Sequence, residues 1–142
     1  MIFVCAMTMA QTNAYPLLPM PQNYKVTDKS FAMGKVKLST PVLKSEWEAF
    51  IVNAGGELAD KAAAEIKVEL LPVIDGVKLN PDEAYRLSVS GKLIKIEAVT
   101  ERGVYWALQT LRQLEKKKGK KSLFAGCEIV DWPAFRIRGF MQ

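Results

Sequence analysis

The sequence contains no histidine among its 142 residues. A Ser-His-Asp or Cys-His catalytic arrangement, a histidine-ligated zinc and a histidine general base are therefore excluded for this chain. Cysteine is nearly as scarce, because Cys5 and Cys127 are the only two and stand near opposite ends. Two such cysteines provide neither a disulfide framework nor a metal cluster. Gly55-Gly56 lacks the later glycine and lysine of a phosphate-binding loop, so no nucleotide site is indicated.

The composition is that of one globular domain. About half of the residues are apolar (49%), which is enough for a hydrophobic core in a chain of this length. The net charge of +5 comes largely from one run of lysines, placed where the pattern predicts the end of a helix: Lys116, Lys117, Lys118, Lys120 and Lys121. Cations there oppose the negative end of the helix dipole. The alternative is a patch for nucleic acid or an anionic membrane.

The N-terminus resembles an export signal. Residues 1–10 are almost wholly apolar, and small and polar residues follow as far as Ala14, so we expect a signal peptide over residues 1–14, cleaved after Ala10 or Ala14. The alternative is an apolar N-terminal strand. The run is too short to span a bilayer, and no transmembrane segment is predicted. The expected location is exported, either periplasmic or extracellular.

Alternating and helical patterns predict an α+β fold. Period-two alternation indicates strands over residues 35–40, 65–71, 84–90 and 92–98, and a further strand near Phe124 or Ile129 is left open. A capping box at Ser45 and Glu48 predicts the start of one helix, and Thr100 predicts the N-cap of a second that runs to Lys118. We therefore expect a mostly antiparallel sheet with two helices packed on one face.

The carboxylates do not form a catalytic pair in the sequence pattern. Glu46 and Glu48 fall at a helix N-terminus, where acids are expected. Asp82 and Glu83 follow a proline in a loop, and Glu97 alternates outward on a strand. The sequence accordingly predicts no catalytic, no cofactor-binding and no metal-ligating residue, and no cofactor.

The three tryptophans raise the alternative of a platform that stacks on sugars, since an aromatic face suits the apolar face of a pyranose. Trp47 lies on the apolar side of its predicted helix, so core packing is the better interpretation. Trp106 flanks the apolar stripe of the second helix. Trp132 falls in a predicted linker, where contact with a following domain is expected.

Two motifs resemble one family. Residues 85–98 followed by 100–114, with the run GVYWALQTL from Gly103 to Leu111, resemble the strand-strand-helix unit that ends the N-terminal domain of family 20 glycoside hydrolases, the β-N-acetylhexosaminidases. Residues 129–141 resemble that family's junction, in which Ile-x-Asp-x-Pro-x-Phe leads into Arg-Gly on the first strand of a (β/α)₈ barrel. Ala134 departs from the family, which often has arginine there.

The resemblance implies a non-catalytic N-terminal domain over residues 15–126, followed by a linker and the first strand of a missing catalytic barrel over residues 127–142. The implied partner is that barrel, within the same protein, and glycan would reach the protein through it. In this family the substrate's own acetamido oxygen is the nucleophile and an Asp-Glu pair assists, all on later barrel strands. No residue here is carried over as catalytic, and the chain alone is expected to be inactive. Arg136 and Arg138 are expected to pair with barrel carboxylates.

A different class of function remains open from the residues themselves. An antiparallel sheet with two helices and positive charge is also compatible with a free-standing module that binds glycan or nucleic acid. A sheet that binds nucleic acid needs exposed aromatic residues on its central strands, and the predicted strands lack them. Nucleic acid is therefore not an expected partner.

Overall fold

The computed structural model describes residue 17 and residues 20–134. These residues form ten strands, two α-helices and one 3₁₀ turn, Pro81–Glu83. In chain order the strands and helices are β1 (Asn23–Val26), β2 (Phe31–Ala32), β3 (Lys35–Ser39), α1 (Lys44–Asn53), β4 (Glu57–Leu58), β5 (Ala64–Leu70), β6 (Tyr85–Val89), β7 (Leu93–Ala98), α2 (Glu101–Leu114), β8 (Glu115–Lys118), β9 (Lys121–Phe124) and β10 (Cys127–Asp131). The signal peptide predicted over residues 1–14, and Arg136 and Arg138, lie outside the described residues.

Seven of the described strands form one mixed sheet in the order β1-β10-β6-β7-β5-β3-β4, and β2-β9-β8 form a smaller sheet. Five of the eight pairings are antiparallel. The pairings β7-β5, β5-β3 and β3-β4 are parallel, which requires crossover connections such as α1 between β3 and β5. The predicted α+β class with a mostly antiparallel arrangement is confirmed, whereas the parallel half was not anticipated.

One face of the large sheet carries the core. Ile66 of β5 stands beside Ile94 of β7, which in turn stands beside Val89 of β6, and all three are buried. Alternate residues of the same strands, such as Lys95, point to the opposite face, as a period of two requires. Apolar residues of both helices join the same buried cluster, including Trp47, Phe50, Val104, Leu108 and Leu111. Both helices therefore cover one face of the sheet, as predicted.

Helix α2 lies very close to the sheet at Gly103. A Cβ at this position would come within 2.2 Å of the Ala84 carbonyl oxygen and within 2.9 Å of the Ala98 Cβ. Such distances are well below van der Waals contact, so only glycine permits this approach. Gly103 therefore serves the close packing of α2 on the sheet.

The start of α1 differs from the capping box that the sequence suggested. The N-cap is Leu43 in a left-handed conformation (φ 54°), and no side chain caps the helix. Ser45 lies inside the helix, so its hydroxyl is not at the N-cap. Thr40 instead closes a turn just before the helix, where its Oγ1 accepts the Val42 amide at 3.3 Å. This local turn, instead of a capping box, directs the chain into α1.

The end of α2 is also different. The helix stops at Leu114, four residues before the predicted end at Lys118, because Glu115–Lys118 pairs with β9 as an antiparallel strand. Gly119 takes a positive φ of 66° at the tip of that hairpin. The lysines from Lys116 to Lys118 therefore belong to a strand and not to the last turn of α2.

The predicted boundary after residue 126 placed Cys127 and the residues beyond it in a linker. Cys127–Asp131 is instead an internal strand of the large sheet, between β1 and β6. Trp132 is 8% exposed and packs with Ile74 and Ala84 of the same domain. The described domain thus buries most of the Trp132 side chain by itself. Contact of the remaining part with a following domain stays a prediction.

Candidate functional site

Glu46, Glu48 and Glu97 lie where the sequence suggested, whereas Asp82 and Glu83 belong to the 3₁₀ turn Pro81–Glu83 rather than to an irregular loop. Glu46 lies in the first turn of α1, and Glu48 stands one turn from Lys44 at 3.9 Å. Glu97 pairs with Lys95 at 3.3 Å on the solvent-facing side of the sheet. Within the described residues no group of three or more potential metal ligands is found.

The open face of the sheet is a ladder of opposite charges. Lys67 contacts Glu69 at 2.9 Å, and Lys95 links Glu69 and Glu97 at 3.9 and 3.3 Å. The hydrogen bond from Lys67 lowers the pKa of Glu69, and the same bond raises the pKa of Lys67. Each of these four side chains, Lys67, Glu69, Lys95 and Glu97, has a neighbour of opposite charge. The charges of the ladder therefore neutralise one another, and the ladder is not a binding site for a charged ligand.

The best-formed recess, of about 100 Å³, lies between α2, β6 and the segment that follows β10. Its lining combines aromatic and polar side chains: Leu17, Glu83, Tyr85, Trp106, Gln109, Thr110, Gln113, Asp131, Trp132 and Pro133. The Pro133 carbonyl accepts a hydrogen bond of 2.7 Å from Asn80 Nδ2. The recess thus borders the point at which the chain leaves the described fold.

A buried hydroxyl pair forms the floor of this recess. Tyr85 Oη and Thr110 Oγ1 are 2.5 Å apart, and Tyr85 is 2% exposed. Burial raises the pKa of Tyr85, so the phenol stays neutral throughout the physiological range. The pair joins β6 to α2, and the Tyr85 hydroxyl also interacts with Asp131 of β10.

The tryptophans do not form a common platform. Trp47 is fully buried and meets Phe50 edge-on at 5.8 Å, as core packing predicted. Trp106 is half-buried on α2 and meets Tyr105 edge-on at 5.3 Å. Trp132 borders the recess from the opposite side. The alternative that all three tryptophans form one exposed surface for stacking on sugars is therefore wrong.

The thiol of Cys127, the cysteine among the described residues, is not a reactive group. Cys127 is buried on β10, and burial raises its pKa to about 12. A thiol that stays protonated is a poor nucleophile.

Neither helix of the described part has the length and apolar character needed to cross a membrane.

These features define a class of protein: an α+β domain with one polar sheet face, one face covered by helices, and no catalytic constellation within its described residues. The family model for glycosyl hydrolase family 20, domain 2, matches residues 14–132. The chain belongs to this family, whose domain 2 is the non-catalytic domain of β-N-acetylhexosaminidases.

Solved structures agree with this membership. The chain is 30% identical to a family 20 exo-β-N-acetylglucosaminidase from Vibrio harveyi, solved as an inactive mutant, with a TM-score of 0.67 over 89% of this chain and 20% of that one. A chitobiase from Flavobacterium johnsoniae is 25% identical over 89% of this chain and 22% of that one, with a TM-score of 0.61. A β-N-acetylhexosaminidase from Bacteroides fragilis shares the fold at 20% identity, with a TM-score of 0.61 over 84% of this chain and 25% of that one. The chain spans only a fifth to a quarter of these structures.

Proposed function

We propose that this chain is the non-catalytic domain of an exported β-N-acetylhexosaminidase, which removes terminal N-acetylhexosamine residues from glycans. The domain stabilises the catalytic barrel of the same protein and does no chemistry itself. The observation that carries the proposal is the match of the domain 2 model to residues 14–132. The resemblance of residues 129–141 to the junction with a barrel supports it.

The surface proposed to meet the barrel is the outer side of α2 beside the recess. Tyr105 is a large apolar residue of α2, and 45% of its surface is exposed to solvent. It shares a shallow surface depression with Glu83 and Trp106, and both of these also line the recess at Pro133. Exposed aromatic residues are enriched in protein interfaces. Because Pro133 and Ala134 are the last described residues and Pro133 lies beside this surface, we expect a domain that follows them in sequence to meet it first.

The activity is tested with 4-nitrophenyl N-acetyl-β-D-glucosaminide. The 142-residue chain is expected to release no nitrophenol, whereas the product of the same gene with the coding sequence that follows codon 142 is expected to turn over. Turnover by the 142-residue chain that is lost on changing Glu46 or Glu97 would contradict the proposal. An inactive longer product would favour a free-standing binding module.

The interface is tested by charge insertion. Tyr105→Glu should lower the melting temperature of the longer protein but leave that of the 142-residue chain nearly unchanged, because the side chain is exposed in the isolated domain. Leu58→Glu is the matched control, since Leu58 is 41% exposed on the edge strand β4. Equal effects of the two variants on the longer protein would place the barrel elsewhere.

The proposed export rests on the apolar run of residues 1–10. Mass spectrometry of the protein recovered from its native host should find an N-terminus just after Ala10 or Ala14. Recovery of the intact N-terminus from the cytoplasm would refute export.

A further inference from the structure

The hairpin formed by β8 and β9 concentrates the charge of the whole chain. Its residues 115–122, here called the basic hairpin, contain five lysines and one glutamate, and so account for all but one of the five net positive charges. A charge so unevenly distributed creates a local field even where the total is modest.

One of these lysines has a structural role. Lys117 points to the inner side of the basic hairpin, where its Nζ donates to the Asn53 carbonyl at the end of α1 and pairs with Glu115, both at 2.9 Å. Burial alone would raise the pKa of Glu115, but hydrogen bonds from Lys117 and Ser122 hold it below the ordinary value. The lysine run therefore does neutralise a helix end, but that of α1 instead of α2.

The other four lysines have no such role. Alternation along the strands and the pairing Lys118↔Lys121 place Lys116, Lys118 and Lys121 on the outer side, with Lys120 at the turn. All four are exposed and make no ion pair with another described residue. Like charges directly opposite each other are destabilising. Lysines on an edge strand prevent unwanted pairing, but Lys120 lies at the tip and Lys121 on the central strand β9, so edge protection does not explain them.

We propose that the outer side of the basic hairpin binds an anionic lipid surface. No hairpin residue lines any of four recesses on the described part, so none of these grooves would bring a linear polymer to the lysines. The backbone of the turn at Lys120 packs against Gly55, which leaves the lysine side chains of the outer side as the exposed part of the hairpin. Its outer side has no aromatic residue to stack on nucleic-acid bases. Lysine binds phosphate groups as a point charge, which suits a flat array of lipid phosphates.

The test is sedimentation of the 142-residue chain with vesicles of phosphatidylcholine, with and without 30% phosphatidylglycerol. The quadruple variant Lys116→Gln, Lys118→Gln, Lys120→Gln and Lys121→Gln is compared with a control of equal net charge. The control changes four dispersed, exposed lysines that make no ion pair with a described residue: Lys25, Lys61, Lys78 and Lys92. Each lysine near an anionic surface contributes about fivefold, so the hairpin variant, which removes four, should lose binding by about 600-fold.

The control variant should lose about threefold or less, because charges more than about 10 Å from the surface are screened. Binding of the unaltered chain should also fall steeply as salt is raised. Equal losses in the two variants, or equal binding to vesicles with and without phosphatidylglycerol, would overturn the proposal. Tighter binding to inorganic polyphosphate or to an oligonucleotide, at equal phosphate concentration, would assign the hairpin to a soluble polyanion instead. Lipid binding by the basic hairpin does not depend on the enzymatic activity of a longer protein. The lipid-binding proposal and the proposed function can therefore be refuted independently.

Discussion

The contact of α2 with the sheet at Gly103 makes a sharp test of the packing. In Gly103→Ala, the new methyl carbon would lie 2.2 Å from the Ala84 carbonyl oxygen and 2.9 Å from the Ala98 Cβ. Ala84 and Ala98 are both fully buried, and one of the two contacted atoms belongs to the backbone. Neither can rotate away as a long side chain would, so α2 must move away from β6 and β7.

The change in the free energy of unfolding caused by Gly103→Ala is the sum of two opposing effects. Overpacking of a core typically costs 1–3 kcal/mol and occasionally more, and rigid neighbours place this site at or above the upper end of that range. Alanine in place of glycine in a helix returns about 1 kcal/mol. We therefore expect a net loss of about 2 kcal/mol or more in the free energy of unfolding, or roughly 6–8 °C in melting temperature.

The assay is urea unfolding of the 142-residue chain followed by circular dichroism, with Gly91→Ala as the control. Gly91 has no atom within 4 Å of a new Cβ and no positive φ, so its replacement should change stability by less than about 0.5 kcal/mol. If Gly103→Ala were as stable as the unaltered chain, the close approach of α2 to β6 and β7 would be wrong.

Other variants test the buried groups and the open face. Tyr85→Phe should cost about 1–3 kcal/mol because it removes the buried partner of the Thr110 hydroxyl, and adding Thr110→Val should cost less than the sum of the single changes in a double-mutant cycle. Burial raises the pKa of Cys127 from 9.0 to about 12, so the folded state holds this proton more tightly than the unfolded state. Unfolding free energy should therefore fall between pH 9 and pH 12, by at most about 1.4 kcal/mol per pH unit from this group, and urea midpoints of Cys127→Ala should fall less steeply there. Glu69→Gln should leave the urea midpoint at pH 7 unchanged within error, since the carboxylate and Lys67 are both solvated. The lowered pKa of Glu69 means that its pairing with Lys67 stabilises the folded state only slightly above the ordinary titration range of a glutamate, and that this small contribution is lost as the pH falls. A large effect of Glu69→Gln at pH 7 would contradict a solvated ladder.

The sequence predicted the elements whose signal is local. Alternation along β3, β5, β6 and β7 requires only that one side of each strand be buried, and the structure has these strands within one residue of the predicted limits at each end. Thr100 was also correctly predicted as the N-cap of α2. The absence of histidine and the lack of paired carboxylates indicated a domain without a catalytic centre, and the motif beginning at Gly103 indicated the family. Each of these inferences depends on residue types and short spacings alone.

Tertiary structure decided what depends on residues far apart in the chain. Lysine is a good helix former, so nothing local marks Leu114 as the last helical residue; the pairing of β8 with β9 ends the helix there. Likewise, Cys127–Asp131 becomes an internal strand because β1, about a hundred residues earlier, pairs with it on one side and β6 on the other. Trp132 is then buried against Ile74 and Ala84. Hydrogen bonding between strands and burial against distant residues are not encoded in the spacing of neighbours, which is why the lysine hairpin and the end of the domain emerged only from the folded chain.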